Sequence, residues 1–203
     1  MAFRKYKSLE QVKQIFPYLE VTLADFVPTQ LPAYPIPVYL EQQLKENLGM
    51  PRTNEYFVCE FLIVPILREV WLQHKKHLKL WTHPTLTYKK ELTGNPDYLI
   101  SYSQSGEYLL LGPPIVSVVE AKFERFNQGW AQCLVEMITC QKLNENPDIT
   151  VFGIVSTGTE WQMGRLHHNR FEQQSSSYSV ANLPQLMSVL EYVLSFSEKQ
   201  FMV

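Results

Sequence analysis

Residues 115–141 read IVSVVEAKFERFNQGWAQCLVEMITCQ, a β-branched run that ends in a charged tripeptide and passes into an amphipathic helical pattern. Ile115, Val116, Val118 and Val119 have stiff χ1 rotamers that favour extended backbone, and the unbroken apolar run points to a strand covered on both faces. Side chains alternate across a strand, so Glu120 and Lys122 should share a face with Val116 and Val118. That sets a carboxylate and an ammonium side by side at the edge of the core, where a charge costs free energy unless it is paired.

Upstream, Asp97 stands in GNPDYLIS, where Gly94, Asn95 and Pro96 mark a turn and Tyr98, Leu99 and Ile100 begin a second strand. Two carboxylates and a lysine on adjacent strands would form a hard, oxygen-rich cluster of the kind Mg²⁺ or Mn²⁺ prefers. Pro96-Asp97 followed by Glu120-Ala121-Lys122 resembles the PD-(D/E)xK signature of the restriction-endonuclease-like nuclease superfamily.

That resemblance implies an α/β (α+β) fold with a central mixed sheet of four to five strands flanked by helices, in the order α-β-β-β-α-β. The core would span residues 53–170 of a single domain, with residues 1–52 a helical and proline-rich wrap and residues 171–203 a loop and closing helix. It also implies that Asp97 and Glu120 hold Mg²⁺ or Mn²⁺, that the backbone carbonyl of Ala121 adds an oxygen ligand, and that Lys122 orients the attacking water and stabilises phosphate charge. Such nucleases often carry an acid on the helix before the core strands, and Glu60 is the candidate. The glutamine that some carry on the following helix matches Gln132 best, with Gln128 second. The implied activity is metal-dependent hydrolysis of phosphodiester bonds in nucleic acid, DNA rather than RNA. The alternative is a nuclease-like fold kept as a nucleic-acid-binding or assembly module without turnover.

Read from the residues alone, Glu60 falls between Phe57 and Phe61 on or beside an apolar stripe, and a boundary acid paired with a lysine would also fit there. Gln132 lies at i, i+4 spacing with Gln128 and Glu136, which a solvated polar face would explain equally well.

The chain has 203 residues, 45% hydrophobic and 19% charged, values ordinary for one globular domain. A net charge of −2 provides no overall basic field for nucleic acid. Residues 65–90 nevertheless hold Arg68, Lys75, Lys76, Lys79, Lys89 and Lys90 against Glu69 alone. A solvated helix end and hairpin explains that run better than a phosphate-facing patch. Cys59, Cys133 and Cys140 lack CxxC spacing, which points to buried thiols and a reducing, cytoplasmic compartment. His74, His77, His167 and His168 lack an HExxH or Cys/His context and read as surface or strand-end residues rather than zinc ligands. No GxGxxG, GxxxxGK or GxSxG motif occurs. No apolar stretch approaches membrane-span length, and the N-terminus lacks the apolar core of a signal peptide.

Along the chain, helices are expected at residues 8–16, 40–48, 55–77 (kinked or divided at Pro65), from 128 onward, and from about 182 to 201. Residues 18–39, with four prolines, read as an extended loop that wraps the core. Strands are expected at 78–89, 97–103, 108–111, 115–122, 150–156 and 160–166, with turns at 104–107 and 157–159. The proline-rich start and apolar closing helix are compatible with a homodimer.

Overall fold

The computed structural model describes residues 3–103, 110–122 and 126–202. Its helices are α1 (Leu9–Ile15), α2 (Val38–Leu48), α3 (Glu55–Phe57, continuing through Val58–Ile63 and Val64–His74), α4 (Phe126–Asn144) and α5 (Leu183–Lys199). The strands are β1 (Glu20–Ala24), β2 (Leu78–Thr82), β3 (Leu86–Lys89), β4 (Leu92–Gly94), β5 (Tyr98–Tyr102), β6 (Ile115–Ala121), β7 (Val151–Ser156), β8 (Glu160–His167), β9 (Arg170–Gln174) and β10 (Tyr178–Ser179). Short 3₁₀ turns lie at Phe3–Lys5 and Val180–Asn182.

Eight strands form one mixed sheet in the order β1-β9-β8-β7-β6-β5-β2, with β10 paired to β8. The pairs β6–β7 and β1–β9 are parallel and the others antiparallel. The sheet is larger than the expected four to five strands. One reason is β1, which lies inside the segment read as an extended proline-rich loop. It pairs in register with β9, Glu20 opposite Arg170 through Ala24 opposite Gln174. A five-residue strand whose partner lies about 150 positions away carries little local signal. The rest of that segment does pack on the core: Tyr34 is buried, with its N–H on Ser188 Oγ at 3.1 Å and its hydroxyl on the Glu69 carbonyl at 3.2 Å.

The single strand expected over residues 78–89 is divided. Beyond β2 the chain turns at His83 (φ 47°) and Pro84, and β3 pairs only with β4 in a separate two-stranded sheet. Proline supplies no ladder N–H, so the strand cannot continue through it. The expected turn at 104–107 and the first part of the expected strand at 108–111 lie outside the described residues; Leu110 and Leu111 are not strand. Likewise α4 begins at Phe126, two residues before its expected start, and residues 123–125 are not described.

Two apolar layers sandwich the sheet. Residues of α2, α3 and α5 form one with Tyr98, Ile100, Val119 and Ala121, and residues of α1 and α4 form the other with Leu99, Val118 and Val155. The alternation along β6 is broken at Val116. Ile100 pairs with Ser117 and Ser101 with Ile115, so Val116 is an extra residue and packs in the α3–α5 layer. Glu120 and Lys122 therefore share the α4 side with Val118 but not with Val116, because a bulge adds one residue and flips the facing of what precedes it.

Pro65 neither breaks α3 nor passes unnoticed. Residues Val58–Ile63 form a π-helical turn, with the Val64 N–H on the Cys59 carbonyl five residues back. Proline has no N–H for the carbonyl four residues before it, which here belongs to Phe61. Asn47 of α2 fills the gap, its Nδ2 donating to the Phe61 carbonyl at 2.7 Å. Among the described residues no helix is long and apolar enough to cross a membrane.

Candidate functional site

The antiparallel register sets Tyr98 opposite Val119, so Asp97 and Glu120 lie next to each other where β5 begins and β6 nears its end. The Ala121 N–H donates to Asp97 Oδ2 at 2.8 Å, which ties the two strand ends together through the carboxylate itself. His83 approaches from the other side, its N–H on the Asp97 carbonyl at 2.8 Å and its Nδ1 3.7 Å from Oδ1. Burial pushes the Asp97 carboxyl up, while the Ala121 N–H, Lys122 and His83 oppose that shift.

Lys122 Nζ donates to Glu120 Oε1 and to the Ala121 carbonyl, the latter at 2.8 Å. The lysine stem runs close over α4. A Cβ at Gly129 would lie 2.9 Å from Lys122 Cγ and 2.6 Å from Val155 Cγ1, so that helix position must lack a side chain. Glu120 is fully enclosed. Burial and the neighbouring Asp97 raise its pKa to about 8 in spite of the lysine. Burial also works against the Lys122 ammonium, but Glu120 more than offsets it and holds the lysine above its ordinary value.

The acid that α3 brings to this cluster is Glu55. Asn54 caps the helix, its side chain accepting from the Phe57 N–H, and Glu55 Oε1 reaches to 3.8 Å from Lys122 Nζ. Glu60, five residues on, is exposed rather than on the apolar stripe, and its charge is felt at Tyr98. The π turn is the physical reason, since its extra residue per turn shifts every side chain after Phe57 around the axis.

Gln132 is buried rather than part of a solvated face, and its Nε2 donates to Glu136 Oε1 at 3.2 Å. Gln128 is half-buried. Glu136 is wholly enclosed, and burial, followed by the charge of Glu120, pushes its carboxyl well above the usual range. Its signal was present in the sequence as the Gln132–Glu136 spacing, but only the sheet packed against α4 reveals that this face points inward.

No known family model matches the chain, and no curated protein is detectably similar to it. The site therefore stands on its own geometry. Among the described residues no three Asp, Glu, His or Cys side chains converge into a ready-made cation cage. The carboxylates and the Ala121 carbonyl offer oxygens, His83 Nδ1 standing 3.7 Å from Asp97 Oδ1, and the buried Glu120 Oε2 and Glu136 Oε2 have no hydrogen-bond partner among the described residues. Oxygen atoms of this kind suit a hard divalent cation.

Other expected features lie elsewhere. His74 is buried, not at the surface: its Nδ1 lies 2.7 Å from Glu198 Oε2 and its Nε2 3.0 Å from Glu191 Oε2, while His77 Nδ1 lies 2.6 Å from Glu198 Oε1. These contacts join the end of α3 to α5. In the basic run, Lys79 is buried with Nζ on the Lys75 carbonyl at 3.1 Å, whereas Lys75, Lys76, Lys89 and Lys90 are exposed. All three cysteines are buried free thiols, and burial pushes Cys59 up to about 12. Two clefts of about 570 and 560 Å³ lie away from Glu120, one between the proline-rich segment and α5, the other beside the β8–β9 hairpin.

Proposed function

We propose that this chain is a metal-dependent nuclease hydrolysing phosphodiester bonds of nucleic acid, with DNA as the leading substrate. The observation that carries this reading is the meeting of Asp97, Glu120 and Lys122 at the ends of adjacent strands, with the Ala121 carbonyl beside the lysine ammonium. Asp97 and Glu120, with the Ala121 carbonyl, would hold Mg²⁺ or Mn²⁺, and the cation would neutralise charge that builds on the phosphate.

The chain's own residues then divide the remaining work. Lys122 is a compact donor on a flexible stem, held between Glu120 and the Ala121 carbonyl, and would turn toward a phosphate oxygen or an attacking water. Glu55, half-exposed at the first turn of α3, keeps a second carboxylate within reach of that ammonium. Gln132 stands one turn beyond Gly129, where the lysine stem crosses the helix, and its amide donates to Glu136 Oε1.

The second reading, a nuclease-like fold that binds nucleic acid or assembles without cutting it, has one observation in its favour. Asp97 is held by the Ala121 N–H, and Lys122 Nζ by Glu120 Oε1 and the Ala121 carbonyl, as residues with a purely structural role would be. The two are separated by incubating wild type, Asp97→Ala and Lys122→Ala with single- and double-stranded DNA and RNA in Mg²⁺ or Mn²⁺. Cleavage that falls about a hundredfold or more in both variants supports the nuclease. Binding with no cleavage by the wild type supports the module, and cleavage unchanged in Asp97→Ala removes the assigned site.

A further inference from the structure

β1 is the outermost strand on one side of the large sheet, and no described strand covers its outer edge. Its ladder to β9 fixes which backbone groups face outward. The Glu20 N–H donates to the Asn169 carbonyl at 2.8 Å, and the Ser175 N–H donates to the Ala24 carbonyl at 3.1 Å. The N–H and C=O of one strand residue point the same way and neighbours alternate, so Glu20, Thr22 and Ala24 face β9 while Val21 and Leu23 turn both groups outward. The opposite edge of the sheet is blunted: at β2, Trp71 Nε1 donates to the Leu78 carbonyl at 2.8 Å and Lys79 stands within the strand. β1 has no such device. It contains no lysine, proline or bulge, its one charge is Glu20, and Leu23 is an apolar side chain 71% exposed.

An open edge is a template for another strand, and the spacing of its outward groups selects which one. Val21 and Leu23 lie symmetrically about Thr22. A second β1 turned end for end therefore presents the same two residues in matching positions: Val21 meets the second copy's Leu23 and Leu23 meets its Val21, each pair exchanging both hydrogen bonds. Thr22 faces Thr22 across the axis, a favourable cross-strand pair, and Glu20 meets Ala24 rather than another carboxylate. Sliding the pairing by two residues loses this match. One slide sets Leu23 opposite Leu19, whose N–H already donates to the Phe16 carbonyl at 3.1 Å, and the other sets Val21 opposite Asp25, beyond the strand. Val21 packs on the layer of α1 and α4, and Leu23 shares its face, so the exposed leucine would close beside the second copy's Val21.

We propose that this chain forms a homodimer by antiparallel pairing of β1 with β1 of a second copy, about a two-fold axis that passes between the two Thr22 residues, perpendicular to the sheet. The same patch serves both copies, so the contact closes at two chains and does not grow into a filament. The two large sheets become one. This inference does not depend on the nuclease reading. Because β1 runs in the same direction as β6, the two-fold would set the two Asp97–Glu120 clusters at opposite ends of the shared sheet.

The test is sedimentation velocity of the wild type and Leu23→Pro at concentrations from about 1 to 200 µM. Proline is tolerated where a strand N–H faces solvent, so this variant removes one outward donor from each copy and keeps the ladder to β9. The expected result is a monomer–dimer equilibrium in the wild type, with association at least about tenfold weaker in Leu23→Pro because half of the interchain hydrogen bonds are lost. Thr22→Cys and Leu23→Cys cover the case in which the proline variant fails to fold, since both positions are exposed and the three native thiols are buried. The proposed register brings the two Thr22 Cα atoms to about 4.5 Å, within disulfide range, and leaves the two Leu23 Cα atoms beyond about 7 Å, outside it. Under mild oxidation Thr22→Cys should form a covalent dimer at least about tenfold faster than Leu23→Cys. A wild type that is monomeric at every concentration, a dimer that folded Leu23→Pro leaves unchanged, or equal cross-linking of the two cysteine variants overturns the proposal.

Discussion

Glu120 ties the site to the stability of the fold, and the sign of that link can be worked out. Its carboxyl is held at about 8 against an ordinary 4.5, chiefly by burial and then by Asp97. Between these two values the folded protein keeps a proton that the unfolded chain releases. Stability is therefore fully present below about pH 4.5 and is lost as the pH rises through 8. One proton corresponds to about 1.4 kcal/mol per pH unit, so this residue alone withdraws at most roughly 5 kcal/mol across the window. Asp97, Glu136 and His74, all raised, act in the same direction, so the wild-type profile by itself does not isolate Glu120. Glu120→Gln does, because a neutral amide of the same shape cannot titrate. The assay is urea unfolding at pH 5, 6, 7 and 8 in EDTA, comparing wild type with Glu120→Gln. The variant should gain on the wild type by about 1 kcal/mol per pH unit as the pH rises. A stability difference that does not change between pH 5 and 8 would refute this account of the buried carboxyl.

Gly129→Ala should cost about 1–3 kcal/mol by urea midpoint, because its methyl must displace Val155 or the Lys122 stem. In the cleavage assay it should also lower turnover more than substrate binding if Lys122 acts on the reacting phosphate. Asn47→Ala leaves the Phe61 carbonyl without its donor beside Pro65 and should lower stability by about 1–3 kcal/mol, read from chemical denaturation. His74→Gln should lower the melting temperature in acid and converge with wild type in base. Burial opposes the imidazolium, but Glu191 and Glu198 prevail and raise its pKa. Its stabilisation is thus present below about pH 6.5 and lost as the pH rises through the folded value.

The sequence alone determined the local elements. Ser8 caps α1, its hydroxyl accepting from the Gln11 N–H, and a buried β-branched run made β6, because capping and χ1 preference act over a few residues. Gly158 marked the β7–β8 turn for a similarly local reason, its φ of +84°, which glycine adopts without strain. Asp97, Glu120 and Lys122 were legible because each ends or opens a strand beside a recognisable break.

What only the tertiary structure decided depends on phase and on distant partners. The bulge at Val116 changed which residues share the Glu120 face, and the π turn before Pro65 moved Glu60 to the surface and left Glu55 as the acid beside Lys122. The parallel β1–β9 pairing and the His74 contacts to α5 join segments more than a hundred residues apart, which no local pattern encodes. Glu136 is the clearest case. The same i, i+4 spacing from Gln132 describes a solvated stripe or a buried carboxylate, and it became the latter because β6 and β7 cover that side of α4 and exclude water from it.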